Sequence, residues 1–306
     1  MVDRKPASDK SITEQPLWRS LLYVPANNQR FIDKAHLRKA DALILDLEDS
    51  VPPHERDSAR HTLAESIRSV GRDSSDVLVR INSSEGVWQE DLDAAVVAGV
   101  RALVLPKVES SLDVQSRAEI LLRLEEERSL QPDRIALHLL VESPGAIFRV
   151  AEIAACNNRV VGLGLGAEDF ALAVGMQPDP ETLSFPRQLA LYAAKAAGIS
   201  AIGLMGSITD FSDIEKMRQI AARSVRYGFD GSTCIHPDVV PILNAAFTPC
   251  ASDVTQARRI VDAYDLACRR GVGAITVDGQ MIDVPVAERS RRLLLRMDAI
   301  TSKRSD

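Results

Sequence analysis

Positive charge is in short supply in this chain. Lys and Arg number 37 against 43 Asp and Glu, giving a formal net charge of −6. That balance argues against a nucleic-acid partner. It still permits an anionic substrate, provided a metal ion or an arginine gathers positive charge locally. Cysteine is also scarce. Cys156, Cys234, Cys250 and Cys268 show no paired metal-ligand spacing, which leaves buried free thiols in a reducing compartment as the expectation. No apolar run approaches the roughly 20 residues of a membrane span. The polar stretch Met1–Gln15 lacks the apolar core of a signal peptide and reads as a loose tail. A cytoplasmic protein with no membrane partner is expected. A dinucleotide fingerprint is missing too: Gly162-Leu-Gly164-Leu-Gly166 has the wrong glycine spacing, and acids follow it directly. These glycines read instead as backbone clearance at a crowded strand end.

What is present is a β/α rhythm in 306 residues that are 45% hydrophobic. Short apolar, β-rich runs cover Ser20–Val24, Ala42–Leu47, Val77–Ile81, Ala102–Leu105, Ala136–Val141, Val160–Leu165, Ala201–Leu204 and Gly231–Ile235. Helical patterns alternate with them at Asn28–Lys39, Pro53–Val70, Glu90–Ala98, Asp113–Ser129, Gly145–Asn157, Ser184–Ala197 and Asp213–Tyr227. Continuously apolar strands separated by helices imply a parallel sheet covered on both faces. Eight such repeats predict an α/β protein of the (β/α)8 TIM-barrel type. After His236-Pro237 the rhythm stops. Ser252–Arg270 reads as a long helix, Gly271–Val277 as a short strand, Asp278-Gly279 as a turn and the segment after Pro285 as a last helix. The expected organisation is a tail over 1–17, a barrel over 18–245 and a C-terminal helical arm over 246–306.

Candidate chemistry gathers where the strands end. Glu142 follows Ile135-Ala-Leu-His-Leu-Leu-Val141, and Asp169 follows Val160-Val-Gly-Leu-Gly-Leu165 at a short distance. Two carboxylates at neighbouring strand mouths can hold one hard cation and leave positions open for substrate and water. Arg80 closes Asp76-Val-Leu-Val-Arg80, and Asp46, Glu48 and Asp49 close Ala42-Leu-Ile-Leu-Asp46. An arginine there could clamp a carboxylate or steady a developing oxyanion. Each residue also has a plain structural reading. Glu142, Asp169 and Asp49 could cap the next helix; Asp46 could pair with a lysine; Lys107 reads as an ion-pair partner rather than a Schiff-base lysine. His236 reads as satisfying a backbone carbonyl, Trp88 and Phe31 are as readily packing residues as ligand platforms, and Arg117–Arg128 reads as a solvated helix face.

A string of motifs runs through these positions: Arg19-Ser-Leu-Leu-Tyr-Val-Pro-Ala-Asn27, Leu45-Asp-Leu-Glu-Asp-Ser-Val51, Val79-Arg-Ile-Asn82, Val104-Leu-Pro-Lys-Val-Glu-Ser110, Val141-Glu-Ser143, Gly166-Ala-Glu-Asp169, Gly228-Phe-Asp-Gly231 with Ile235-His-Pro237, Ala246-Phe-Thr-Pro249 and Asp278-Gly-Gln-Met-Ile-Asp283. In this order the chain resembles the citrate lyase β-subunit-like branch of the HpcH/HpaI aldolase superfamily, which includes malyl-CoA and citramalyl-CoA lyases. The resemblance implies a modified TIM barrel assembled as a trimer or hexamer, with Mg2+ as cofactor. By the same resemblance Glu142 and Asp169 match the magnesium ligands, and Arg80 matches the substrate-binding arginine. Glu48 and Asp49 match acids that hold metal-bound water or line the oxo-acid pocket. The backbone at Gly166 and Ala167 matches the segment that meets the substrate carboxylate. Asp283 matches an acid/base aspartate that an arm carries to a neighbouring subunit's site. Tyr23, Arg30, Lys34 and Pro249 match the acyl-CoA entrance. Three positions depart from the common pattern: Ala26 stands for glycine, Ser232 for a basic residue after Gly231, and Ile202-Gly203-Leu204 lacks an aspartate often found there. They bear on the acyl substrate and its carrier.

The function these features imply is Mg2+-dependent carbon–carbon cleavage or formation of a β-hydroxyacyl-CoA thioester such as malyl-CoA or citramalyl-CoA. The partners are then an acyl-CoA, or an acyl-carrier arm, and a small oxo acid. Alternatives are a citrate lyase β subunit working on a citryl carrier thioester, a metal-dependent aldolase of free oxo acids, and a relative that binds magnesium without turnover.

Overall fold

A computed structural model describes residues 15–73, 75–208 and 211–303. The tail expected over 1–17 lies, as far as residue 14, outside the described residues. The chain forms two compact units: Trp18–Phe247, and a second that includes Thr248–Asp306.

In the first unit strands and helices alternate: β1 (Ser20–Pro25), α1 (Gln29–Ala35), β2 (Ala42–Asp46), α2 (Arg56–Val70), β3 (Asp76–Arg80), α3 (Val87–Ala95), β4 (Val100–Leu105), α4 (Ser111–Glu127) and β5 (Ala136–Val141). Then come α5 (Pro144–Ile147), α6 (Val150–Ala155), β6 (Val160–Leu165), α7 (Ala167–Val174), α8 (Ser184–Ala197), β7 (Ser200–Ala201), α9 (Ile214–Tyr227), β8 (Ser232–Cys234) and α10 (Val240–Ala246). The eight strands make one sheet in the order β7-β6-β5-β4-β3-β2-β1-β8, and every pairing is parallel. The last strand thus lies beside the first. Between β7 and β8 stands one isolated parallel bridge, Ile202 to Gly231. Asp230 N donates to the Ala201 carbonyl, and Gly203 N to the Gly231 carbonyl, each at 2.9 Å.

Strand parity sorts the core into two layers, because successive side chains point to opposite faces. Leu43, Leu45, Val77, Val79, Leu103, Leu137 and Leu139 share a large cluster with helical residues such as Leu63, Ile67 and Leu121. Ala42, Ile44, Leu78, Ala102, Val104, Ala136 and Leu140 share a smaller one with Trp18. Parity then carries beyond the apolar runs. Asp46 continues the Ala42–Ile44 face, Arg80 the Leu78 face and Glu142 the Ala136–Leu140 face, so the sequence aims all three inward at the C-terminal strand ends.

Several expectations change. α7 escapes a reading by periodicity because it is short and follows the glycine-rich strand at once. The helix expected over Gly145–Asn157 splits into α5 and α6. β7 is shorter than expected, with Ile202 joining only by its bridge. Of the cysteines, Cys234 is buried, but Cys250 and Cys268 are exposed. Arg117–Arg128 is not simply a solvated face: Arg117 lies over the Trp88 ring at 5.0 Å, and Glu125 is fully buried. Glu125 accepts from Arg159 Nη2 at 2.7 Å and Nη1 at 3.1 Å, and from Ile135 N at 2.8 Å. Removing one member of a buried pair strands the other charge. Glu125→Ala is therefore expected to lose about 3–5 kcal/mol of stability, read as a lower denaturation midpoint at unchanged slope. A loss under 1 kcal/mol would show the pair to be expendable.

The second unit is built from α11 (Ala251–Arg269), the hairpin β9 (Ile275–Val277) and β10 (Gln280–Ile282), and α12 (Val284–Lys303). The hairpin turns at Asp278-Gly279, both with positive φ (50° and 78°), as a two-residue turn matched to strand twist requires. Ile260, Tyr264, Ile282 and Ala287 form its small core. No helix among the described residues is long and apolar enough to cross a membrane.

Candidate active site

The parallel register sets Asp46 directly opposite Arg80 on β2 and β3. The result is a fork: Arg80 Nε donates to Asp46 Oδ1 at 2.6 Å and Nη2 to Oδ2 at 2.7 Å. Nη1 reaches Asp49 Oδ2 at 3.1 Å. It also lies 3.0 Å from Glu48 Oε2, but without hydrogen-bond alignment, since that oxygen has no hydrogen-bond partner. Tyr23, on neighbouring β1, offers its ring face to the guanidinium at 4.8 Å. Lys107 follows β4 in a left-handed conformation (φ 51°), and its Nζ donates to Glu48 Oε1 at 2.6 Å. Lys107 is thus an ion-pair partner, as expected. Asp46 pairs with an arginine, not a lysine. Burial works to raise its pKa, but hydrogen bonding and charge from Arg80 outweigh it and hold the carboxyl below its ordinary value.

Glu142 is the contrasting carboxylate. Its Oε2 is buried without a hydrogen-bond partner. Burial first, then the negative charges of Glu48 and Asp169, push its pKa up to about 8 against the pull of Lys107 and Arg80. It is no helix cap, because Ser143 caps α5 by accepting from Ala146 N at 3.1 Å. Asp169 sits inside the first turn of α7, behind Gly166 as N-cap, and no cap bond from Asp49 is present at the next helical turn. The glycines do supply clearance. A Cβ on Gly162 would stand 2.6 Å from His138 Nδ1, and one on Gly166 would stand 2.5 Å from Glu142 Cγ. Gly166 has ordinary φ (−77°), so Gly166→Ala is expected to leave the melting temperature within a few degrees. It should displace Glu142 and weaken divalent-cation binding by about 10-fold or more. Unchanged affinity in a calorimetric titration would refute that.

Tyr23, Asp46, Asp49, Arg80, Glu142, Gly166, Ala167 and Asp169 line a single cavity of about 420 Å³ within the first unit. Glu48 is buried and is not among the lining residues. The Gly166 N–H is committed to the Val141 carbonyl at 3.0 Å, so the amides left at this segment are those opening α7. Arg30 and Lys34 are exposed on α1 and do not line the cavity. Pro249 and Asp283 belong to the second unit, where Asp283 Oδ1 accepts from Val286 N at 3.3 Å. His236 accepts from Asp238 N at 3.3 Å and stacks on Phe211 at 4.8 Å, rather than serving a carbonyl. Trp88 is buried, whereas Phe31 is exposed.

Lining residues outside the expected set include His138 and Arg187. His138 is fully buried, and burial pulls its pKa down to about 4 although the Gly162 backbone opposes the shift. The imidazole is neutral at pH 7. A polar residue inside Ala136-Leu-His-Leu-Leu-Val141, in phase with Glu142, was its sequence signal. Arg187, on α8, had none, since Ser184-Phe-Pro-Arg187 reads as an ordinary helix start.

Among the described residues no three His, Cys, Asp or Glu side chains group closely enough to hold a metal by themselves. The pair Glu142 and Asp169 still fits a hard cation: one carboxylate has an orphaned oxygen, and the two repel each other in a buried setting that positive charge would relieve. Two protein oxygens suit an ion that keeps several water or substrate ligands.

A parallel α/β sheet with carboxylates and an arginine at its C-terminal strand ends defines a class of enzymes whose chemistry sits at that rim. The sequence profile of the HpcH/HpaI aldolase/citrate lyase family matches residues 19–237, and the chain belongs to that family. It is 35% identical over 283 residues to the citrate lyase subunit beta of Escherichia coli, covering 92% of this chain and 93% of that one. It is 32% identical over 291 residues to a (3S)-malyl-CoA thioesterase of Cereibacter sphaeroides, covering 94% and 97%. Among solved structures it is similar to the protein CitE of Mycobacterium tuberculosis in complex with magnesium, acetoacetate and coenzyme A. The TM-score is 0.73 at 28% identity, over 94% of this chain and all of that one.

Proposed function

We propose that this chain is a Mg2+-dependent carbon–carbon lyase of a β-hydroxyacyl-CoA thioester of the malyl-CoA or citramalyl-CoA kind. The observation that carries the reading is the cavity shared by Arg80, Glu142 and Asp169. The family membership and the relatives' magnesium and coenzyme A complexes support it. Glu142 and Asp169 would hold the ion, which when bound supplies positive charge for the hydroxyl and carboxylate oxygens of the substrate. In the cleavage direction a rim carboxylate takes the hydroxyl proton. The C–O bond becomes a carbonyl, the adjacent C–C bond breaks, and its electron pair passes to the thioester as an enolate. Arg80 faces the developing negative charge, and the amides opening α7 meet the substrate carboxylate. Burial keeps the Tyr23 phenol neutral, so it packs and polarises without ionising.

Asp283 is the proposed proton donor to the enolate carbon, and the base in the reverse direction. It would come from an arm of a neighbouring subunit in a trimer or hexamer, with the sheet closed into a (β/α)8 barrel. The Ile202–Gly231 bridge supports that closure. Asp283→Asn is expected to lose most turnover while magnesium affinity stays within about twofold; normal turnover would sink the assignment. Light scattering that finds a monomer would remove the shared-site proposal. Tyr23, Arg30, Lys34 and Pro249 are proposed at the thioester arm.

The test is cleavage of both epimers of malyl-CoA and citramalyl-CoA with magnesium, then with chelator. Chelator-sensitive release of glyoxylate or pyruvate supports the reading. Inactivity on every CoA ester overturns it in favour of a citryl carrier thioester, which the likeness to citrate lyase subunit beta favours as the second reading. Equal rates on free hydroxy acids would point to an aldolase that uses no thioester.

A further inference from the structure

The chemistry described so far sits at the C-terminal strand ends. A second cavity, of about 450 Å³, opens in the first unit at the opposite ends, where β3 and β4 begin. Its volume is within the range of small-molecule sites. Three arginines line it: Arg68 from the last turn of α2, Arg101 from the start of β4 and Arg134 from the segment ahead of β5. Arg101 is half-buried, and the other two are exposed. Among the described residues none of the three side chains has a hydrogen-bond or ion-pair partner. Acids outnumber bases in this chain, and Arg19, Arg60, Arg80 and Arg159 each hold a carboxylate. Asp76 is the only carboxylate among the described lining residues, and its Oδ2 already accepts from Trp18 Nε1 at 2.7 Å.

Arg101 owes its place to a bulge. Val77 pairs with Val100 and Leu78 with Ala102, which leaves Arg101 as an extra residue on β4. Val100 then joins the large core cluster and Ala102 the smaller one, although a regular strand would send both to one face. Gly99 leads into the bulge with φ 102°, a value that strains any side chain. Arg68 alone would read as a charge set against the carbonyl end of α2, but Arg101 and Arg134 belong to no helix terminus. Three guanidinium groups around one concavity focus positive potential there. Their planar forks fit phosphate oxygens in pairs. A single carboxylate meets one such fork, whereas linked phosphate groups carry oxygens and charge enough for three. We propose that this cavity is a binding site for a small anion bearing two or more phosphate groups. The site is separate from the catalytic cavity, and the inference stands independently of the lyase reading.

The probes are inorganic pyrophosphate and inorganic phosphate, titrated by calorimetry into the full chain. Chelator is present, so that no cation draws the anion to Glu142 and Asp169. The expected result is one pyrophosphate per chain with a Kd below about 1 mM, bound about 10-fold or more tighter than phosphate. Arg101→Gln should weaken pyrophosphate by about 10-fold or more, and Arg68→Gln combined with Arg134→Gln by about 100-fold. Pyrophosphate should raise the melting temperature of the wild type but not that of these variants. Melting temperatures without the anion separate a lost contact from a lost fold. If Arg101→Gln does not fold, the combined variant carries the test, because Arg68 and Arg134 are exposed. A wild type that binds no pyrophosphate, or binds phosphate equally well, overturns the proposal. Variants that keep wild-type affinity overturn it too, since the anion then sits elsewhere, as at Arg80. Each of these outcomes leaves the lyase reading intact.

Discussion

Glu142→Gln is expected to abolish divalent-cation binding in practice, lowering affinity by about 100-fold or more, and to reduce turnover by about a thousandfold. The same variant should be more stable than the wild type when metal-free above pH 8. Both effects follow from one arrangement. Burial and the charges of Glu48 and Asp169 raise the Glu142 pKa from 4.5 to about 8. For a group raised in this way the stability contribution is complete below the unfolded value. It is lost as pH rises through the folded value, because the folded state then accepts a charge it solvates poorly. The metal-free wild type should therefore lose melting temperature between about pH 5 and pH 9, and Glu142→Gln should flatten that slope. Cation binding needs the carboxylate, so in the wild type affinity should climb with pH and level off above about 8, with proton release on binding. Calorimetry in buffers of different ionisation enthalpy reads the proton. A variant that binds Mg2+ normally, or a wild type whose affinity is flat from pH 6 to 9, would contradict this account.

Arg80→Met carries the second large effect, on stability and catalysis together. Asp46 is 1% exposed as a side chain, and Arg80 is its main counter-charge. Without Arg80 only the hydrogen bonds from Ser50 and the Glu48 backbone are left to oppose the burial that disfavours ionisation of Asp46. A loss of about 3–5 kcal/mol at pH 7 is expected. The sign of the pH dependence should also reverse. In the wild type the lowered Asp46 pKa gives stability that is present above its ordinary value of 3.8 and lost as pH falls through the folded value. In the variant the carboxyl is raised instead, so stability should be greatest in acid and decline toward neutral pH. Turnover should drop by about 100- to 1,000-fold, the scale of losing one charged donor to a developing oxyanion. Arg80→Lys keeps the charge but not the fork, and should fall between. Denaturation curves at pH 4 and pH 7 with rate measurements decide the matter. Wild-type stability at pH 7 would show that Asp46 finds another partner.

The strands could be read from the sequence because their signal is local. Ala42-Leu-Ile-Leu-Asp46 and Ala136-Leu-His-Leu-Leu-Val141 are apolar on both faces, as a covered parallel sheet demands. Their parity already aimed Asp46, Arg80 and Glu142 the same way. α7 and the break between α5 and α6 were hidden because four to eight residues hold too little periodicity to register. Glu125 was hidden inside a charged stretch, since the groups that make its burial tolerable, Arg159 ahead of β6 and the backbone at Asp133 and Ile135, come from outside its helix.

By itself, then, the sequence determined the parallel β/α class and the gathering of Asp46, Arg80, Glu142 and Asp169 at the strand ends. Those depend on periodicity, strand parity and motif order, which are properties of neighbours in the chain. Only the tertiary structure decided how these residues differ in charge state. Strand register gives Asp46 the Arg80 fork, whereas Glu142, beside Gly166, keeps an oxygen with no partner. Tertiary structure alone also brought Arg187 from α8 to the same cavity with an unpaired nitrogen. Pairing and desolvation depend on which distant groups share a buried space, and no local pattern encodes that.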